Sequence, residues 1–76
     1  MNKPRRKALA DIAERIENLR EELETLRDEE QEYLDNMPEN LQGSERYERA
    51  EAAVDALDNA LAALEEAKNS IEEATE

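Results

Sequence analysis

The stretch that decides the fold is residues 35–44, which read DNMPENLQGS. It holds the only glycine of the chain, Gly43, and one of its two prolines, Pro38. Proline disfavours helical geometry in the preceding residue, so a helix that arrives from the N-terminal side should end or bend at Met37. Ser44 is a good N-cap, because its side-chain oxygen accepts a hydrogen bond from a free N–H group of a first helical turn. The stretch therefore predicts a connection between two helices.

Apolar residues before this connection recur at alternating steps of three and four, and the pattern resumes in phase after Glu30 takes one of the positions. They are Leu9, Ile12, Ile16, Leu19, Leu23, Leu26, Tyr33 and Met37. A repeat of 3.5 residues is typical of a helix that packs along a partner helix in a coiled coil. Pro4 suits a first helical turn, where its missing N–H group would lack a partner in any case. We predict a first helix at about residues 4–36.

The chain after the connection repeats this pattern. Its positions are Tyr47, Ala50, Val54, Leu57, Leu61, Leu64, Lys68 and Ile71. Beside them runs a row of alanines spaced by seven residues: Ala53, Ala60, Ala67 and Ala74. The row either lets two helix axes approach closely or serves only the high helix propensity of alanine. We predict a second helix at about residues 44–74.

Two helices of matched length with a short connection favour an antiparallel pair. We predict an all-α fold, an antiparallel two-helix coiled-coil hairpin, with residues 1–76 as a single domain and the connection at residues 37–43. A chain of this size without disulfides or metal rarely builds a sufficient core alone. We therefore expect a homodimer that forms a four-helix bundle, or a higher homo-oligomer. The expected self-association seam comprises Leu9, Ile12, Ile16, Leu19, Leu23, Leu26, Val54, Leu57, Leu61, Leu64 and Ile71.

Two charged residues interrupt the apolar pattern, Glu30 in the first helix and Lys68 in the second. In a hairpin centred near residue 40, residue n faces residue 80 − n, which places Glu30 near Ala50 and Lys68 near Ile12. The two side chains then either reach solvent at the edge of the seam or set the register of an assembly.

The connection also gathers residues that are common in interface cores, where tyrosine and methionine are enriched. Two interpretations stay open. These residues form a partner-binding site, or they form a plug in which Leu41 folds back onto the tyrosines and closes the end of the bundle. The residues concerned are Tyr33, Met37, Pro38, Leu41 and Tyr47.

Composition excludes most site chemistry. The chain has no cysteine and no histidine, which removes thiol nucleophiles, imidazole bases and zinc, haem or iron–sulfur sites. We expect no enzymatic activity, no catalytic or metal-binding residues and no cofactor. No apolar run approaches the ~20 residues of a membrane span, and no signal peptide is recognisable, so we expect no membrane partner.

Charge is distributed unevenly along the chain. The net charge is −12, yet the first seven residues contain four basic side chains and no acidic one. The other 69 residues hold six basic and 22 acidic side chains, a net charge of −16. Such a field repels nucleic acid, and we expect no direct nucleic-acid binding.

Residues 33–48, YLDNMPENLQGSERYE, resemble the connection in a family of short helical proteins from phages, prophages and mobile elements of Gram-positive bacteria. The resemblance implies a phage or mobile-element origin, two charged helices and a location in the cytoplasm of a bacterial host cell. It implies no activity, because none is established for the family.

The function that these observations favour is a small, acidic, non-enzymatic coiled-coil protein. It would act as a self-associating protein–protein interaction module, with a host protein as a further candidate partner. Two alternatives stay open. The chain inhibits a host defence or nucleic-acid-handling protein by imitating the charge of DNA, or its oligomer sequesters a nucleotide signal.

Overall fold

The computed structural model describes residues 1–76 and shows two long helices joined by a short connection. Helix α1 spans Lys3–Asp35, a single 3₁₀ turn spans Glu39–Leu41, and helix α2 spans Glu45–Ala74. The molecule contains no strand and measures 60 × 15 × 13 Å. The all-α fold with two long helices, in an extended hairpin, is thereby confirmed.

Local chemistry fixes both ends of α1. The side-chain Oδ1 of Asn2 accepts a hydrogen bond from the backbone N–H of Arg5 at 2.8 Å, and Pro4 occupies the first turn. At the other end the helix stops at Asp35, two residues before Met37. Pro38 has extended backbone with φ −57° and ψ 148°. The chain has thus left the helical path before the proline, as its position in the sequence predicts.

The connection is held by its own backbone. The N–H of Leu41 donates to the carbonyl oxygen of Pro38 at 2.9 Å, which closes the 3₁₀ turn. Gly43 has φ +89°, a left-handed conformation that glycine adopts without a Cβ penalty. The Oγ of Ser44 then accepts from the N–H of Tyr47 at 3.2 Å, which confirms Ser44 as the N-cap of α2.

The helices run antiparallel, in a register marked by three ion pairs between them. In each pair the two residue numbers add up to 85. The pairs are Glu17–Lys68 at 3.1 Å, Arg20–Glu65 at 3.4 Å and Arg27–Asp58 at 2.7 Å. The expected register of 80 is therefore wrong: Lys68 lies opposite Glu17 and not opposite Ile12.

This register displaces the two helices along their common axis. Glu45, the first residue of α2, is level with position 40, five residues and roughly 7 Å beyond the end of α1. The connection lies against this first turn of α2. At the opposite end of the hairpin α1 is the longer arm, and its residues 3–8 extend past the level of Glu76.

Only five residues are buried, and four of them lie near the bend. They are Ala13, Leu34, Met37, Ala50 and Val54. Leu34, Ala50 and Val54 form one cluster, against which Tyr47 packs. No large side chain is fully enclosed. The hairpin therefore has a compact core at the bend and, along most of its length, a contact of partly buried leucines and ion pairs.

Candidate interaction surface

A line of apolar side chains lies exposed along α1. Leu19 is 54% exposed, Leu26 is 57% exposed and Tyr33 is 46% exposed, while Ile12 at the start of the line is partly buried. These four residues are spaced by seven, so they lie one above another on a single face of the helix. We call this line the α1 stripe.

The α1 stripe is exposed because α2 packs against the neighbouring rows of α1. One row holds the partly buried residues Leu9, Ile16 and Leu23. The other row has the same seven-residue spacing and consists of Ala13, Arg20, Arg27 and Leu34. A single helix covers only part of a wide apolar face, so one flank of α1 stays in solvent.

The sequence pattern groups these apolar residues into one seam, whereas in the structure they lie on two rows that differ in exposure. The row of Leu9, Ile16 and Leu23 contacts α2 within the hairpin, together with the partly buried leucines of α2. Leu19 and Leu26 are less buried by this contact, and each stays more than half exposed. What the heptad pattern missed is the row that contains Arg20 and Arg27, which carries two of the three ion pairs to α2.

Beside Leu26 the stripe continues into a shallow groove between α1 and α2. The groove is lined by Leu26, Glu29, Glu30, Ala53, Ala56 and Leu57. Of the predicted alanine row, Ala53 and Ala60 are partly buried, whereas Ala67 and Ala74 are exposed. Close contact through alanine is therefore confined to the half of α2 nearer the bend.

On another side of the hairpin, Glu17 lies at the centre of a group of electrostatic contacts. Its carboxylate accepts hydrogen bonds from the guanidinium of Arg20 at 2.9 and 3.2 Å and from Nζ of Lys68 at 3.1 Å. These bonds, that from Arg20 first, lower the pKa of Glu17 from 4.5 to about 2. The same contacts raise the pKa of Lys68, chiefly through the hydrogen bond to Glu17.

Glu17→Gln is expected to lower the melting temperature at pH 7 by a few degrees, because the substitution removes the charge that both cations contact. A lowered pKa in the folded state stabilises the fold above the unfolded value of 4.5. This contribution is lost as pH falls from 4.5 towards 2. Thermal melts of the variant and the original chain should therefore converge over that interval.

The matched control is Glu21→Gln, which alters an exposed carboxylate one helical turn further along α1. It should change the melting temperature by less than Glu17→Gln at pH 7, with no convergence specific to pH 2–4.5. Equal effects of the two substitutions would show that the Glu17 contacts do not stabilise the hairpin.

The residues predicted to gather at the connection divide into two groups. Met37 is buried and Tyr47 packs against the core cluster, on the inner side of the bend. Tyr33 and Leu41 are 46% and 36% exposed, and Pro38 is exposed as well. Near the bend the core cluster also contains the buried Leu34, which the heptad pattern does not include. Its spacing of seven from Arg27 places it on the row that faces α2.

The open end of the hairpin is basic. Lys3, Pro4, Arg6 and Lys7 line an open groove together with Ala10 and Thr75. Thr75, the residue that follows α2 and caps its end, lies level with Ala10 in the register of 85. The side chains of the first α1 turns thus project beyond the body of the hairpin.

No three carboxylates come together in an arrangement that would hold a metal ion. Neither helix contains a stretch long and apolar enough to cross a membrane. Comparisons with known protein families, with curated proteins and with solved structures find no match for this chain.

Proposed function

We propose that this chain is a non-enzymatic interaction module that associates with a second copy of itself through the α1 stripe and so forms a four-helix bundle. The observation that carries the proposal is the exposure of Leu19, Leu26 and Tyr33 at a strict spacing of seven residues. Leucine exposed singly is ordinary on protein surfaces, but an aligned apolar row indicates an interaction site.

The thin core of the hairpin supports the same proposal. Only five of 76 residues are buried, and both central leucines of the α1 stripe keep more than half of their surface in contact with water. Fully burying a leucine is worth about 1.5–3 kcal/mol, so covering the exposed half of each contributes roughly 1 kcal/mol. Two hairpins supply four such leucines, about 4 kcal/mol in total.

The symmetry of the α1 stripe favours a second copy of the chain as its binding partner. A two-fold dimer places the same surface of both copies in contact, so that surface must complement itself. The α1 stripe meets this condition, since Leu19 and Leu26 are alike in size and lie equally far from its midpoint. The alanines beside Leu26 leave room for a neighbouring helix to approach closely.

Sedimentation of the purified chain between about 1 and 200 µM tests the proposal. We expect a mass of at least twice 8.7 kDa at the higher concentrations, with dissociation on dilution. Circular dichroism and thermal melts of the same samples give the control for folding. A fully helical species that melts cooperatively and stays at 8.7 kDa throughout would contradict the proposal.

A further inference from the structure

The charges of α1 oppose its own dipole at both ends. No acidic residue lies in the first turn, and no basic residue lies in the last turn. The first turns instead carry four cations, Lys3, Arg5, Arg6 and Lys7, which we call the basic head. The N-terminus of a helix bears partial positive charge and the C-terminus partial negative charge, so both ends are unfavourable in an isolated helix.

The basic head has no partner within the chain. All four side chains are exposed, and none makes an ion pair within 4 Å. The register explains why, because the head extends past the end of α2. The nearest carboxylates at the end of α2 and just after it, those of Glu72, Glu73 and Glu76, are level with residues 9–13 of α1.

The other end of α1 carries the opposite charge. Residues 28–39, which we call the acidic segment, hold six acidic side chains and no basic one. They are Asp28, Glu29, Glu30, Glu32, Asp35 and Glu39. Within the chain only Asp28 makes an ion pair, with the adjacent Arg27. Arg46 and Arg49 of α2 lie near Glu30 without pairing with it.

We infer that the second copy packs against α1 in the antiparallel direction, so that the basic head of each copy reaches the bend of the other, where the acidic segment of that copy ends. This inference rests on the proposed self-association through the α1 stripe. Pairing the stripe about its midpoint places residue n opposite residue 45 − n of the partner. Leu19 then meets the partner's Leu26, and Ile12 meets the partner's Tyr33.

The same register aligns the charges. Arg15 comes level with the partner's Glu30 and Ala10 with the partner's Asp35, so the basic head lies just past the end of the partner's α1, at the bend that carries Glu39. A parallel arrangement would instead place the two acidic segments side by side, with twelve carboxylates and no basic residue in either segment, and like charges at close range are unfavourable. Antiparallel packing also places each positive helix end beside a negative one.

Spin-label distances between copies test the orientation, and the absence of cysteine allows single-cysteine variants. Ala8→Cys and Thr25→Cys both alter exposed residues of α1 outside the stripe. In the antiparallel dimer two labels at position 8 lie 29 residues apart along the axis, about 44 Å at 1.5 Å per residue. Two labels at position 25 lie only five residues apart, about 8 Å along the axis.

We expect a distance above about 40 Å for the Ala8→Cys dimer and below about 30 Å for the Thr25→Cys dimer. Short distances for both variants would establish a parallel dimer, which overturns this inference and leaves the proposed self-association intact. No dipolar coupling for either variant, together with a mass of 8.7 kDa in sedimentation, would overturn both.

A pair of charge variants tests the contact between the head and the acidic segment. Arg5→Gln with Arg6→Gln removes two cations from the head, and Arg46→Gln with Arg49→Gln removes two from α2, so both variants have a net charge two units more negative than −12. We expect the first variant to weaken the dimer by roughly tenfold, the scale of several exposed ion pairs. The second should not weaken it, because those arginines lie near the partner's head. Equal weakening would overturn the inference.

Discussion

Val54→Asp is expected to abolish the cooperative helical fold of this protein. Val54 is 4% exposed and lies in the cluster with Leu34 and Ala50 at the bend. A carboxylate there has no cation within the cluster to pair with, and an unpaired buried charge costs several kcal/mol. A chain of this length has a free energy of unfolding of about 4–11 kcal/mol, so one such substitution removes much of it.

Circular dichroism at 222 nm, followed during heating, measures this effect. We expect Val54→Asp to lose most of its helical signal at 25 °C, or to melt broadly at a far lower temperature than the original chain. The control is Ala52→Asp, which places the same residue at an exposed position two residues earlier in α2. Its cost is limited to helix propensity, below about 0.7 kcal/mol. Similar melts for the two variants would show that the hairpin does not depend on the core at the bend.

The second large effect is expected from Leu19→Gln combined with Leu26→Gln, which makes the centre of the α1 stripe polar without altering charge. Each copy carries both leucines, so a dimer contains four of them. The loss of about 4 kcal/mol corresponds to a dissociation constant roughly a thousand times higher. Glutamine has nearly the helix propensity of leucine, so α1 itself should persist.

Sedimentation of the double variant should give 8.7 kDa at concentrations where the original chain has at least twice that mass. The matched control is Asn18→Gln with Thr25→Gln, which alters two exposed residues that each precede a stripe leucine by one position. This control should leave the mass unchanged. A double stripe variant that retains the full mass would place the contact between copies elsewhere on the hairpin.

Local features of the sequence were sufficient to predict both helices and their connection. The cap at Ser44, the stop imposed by Pro38 and the apolar spacing all act through neighbours a few residues away. Helix formation and capping depend on such neighbours, so these features can be found without knowing what the helices pack against. The structure confirms the Ser44 cap and ends α1 at Asp35, just before the proline.

The register between the helices was not predictable in this way. Placing the centre of the hairpin at residue 40 assumed that the connection crosses symmetrically from one helix end to the other. The extended Pro38 and the 3₁₀ turn instead carry the chain beyond the end of α1 before α2 begins. A signal for the true register was present in the sequence. Arg20 and Arg27 are seven residues apart, and so are their respective partners, Glu65 and Asp58.

By itself, the sequence determined an all-α chain with two long helices and the positions of their ends, because those depend on backbone geometry and capping over a few residues. Only the tertiary structure decided which face of α1 meets α2. The row that begins at Leu9 and the α1 stripe are both apolar, so hydrophobicity alone does not separate them. The observed rotation places the small Ala13 against α2 and brings the cations of Arg20 and Arg27 to Glu65 and Asp58. That rotation is what leaves the leucines of the α1 stripe exposed.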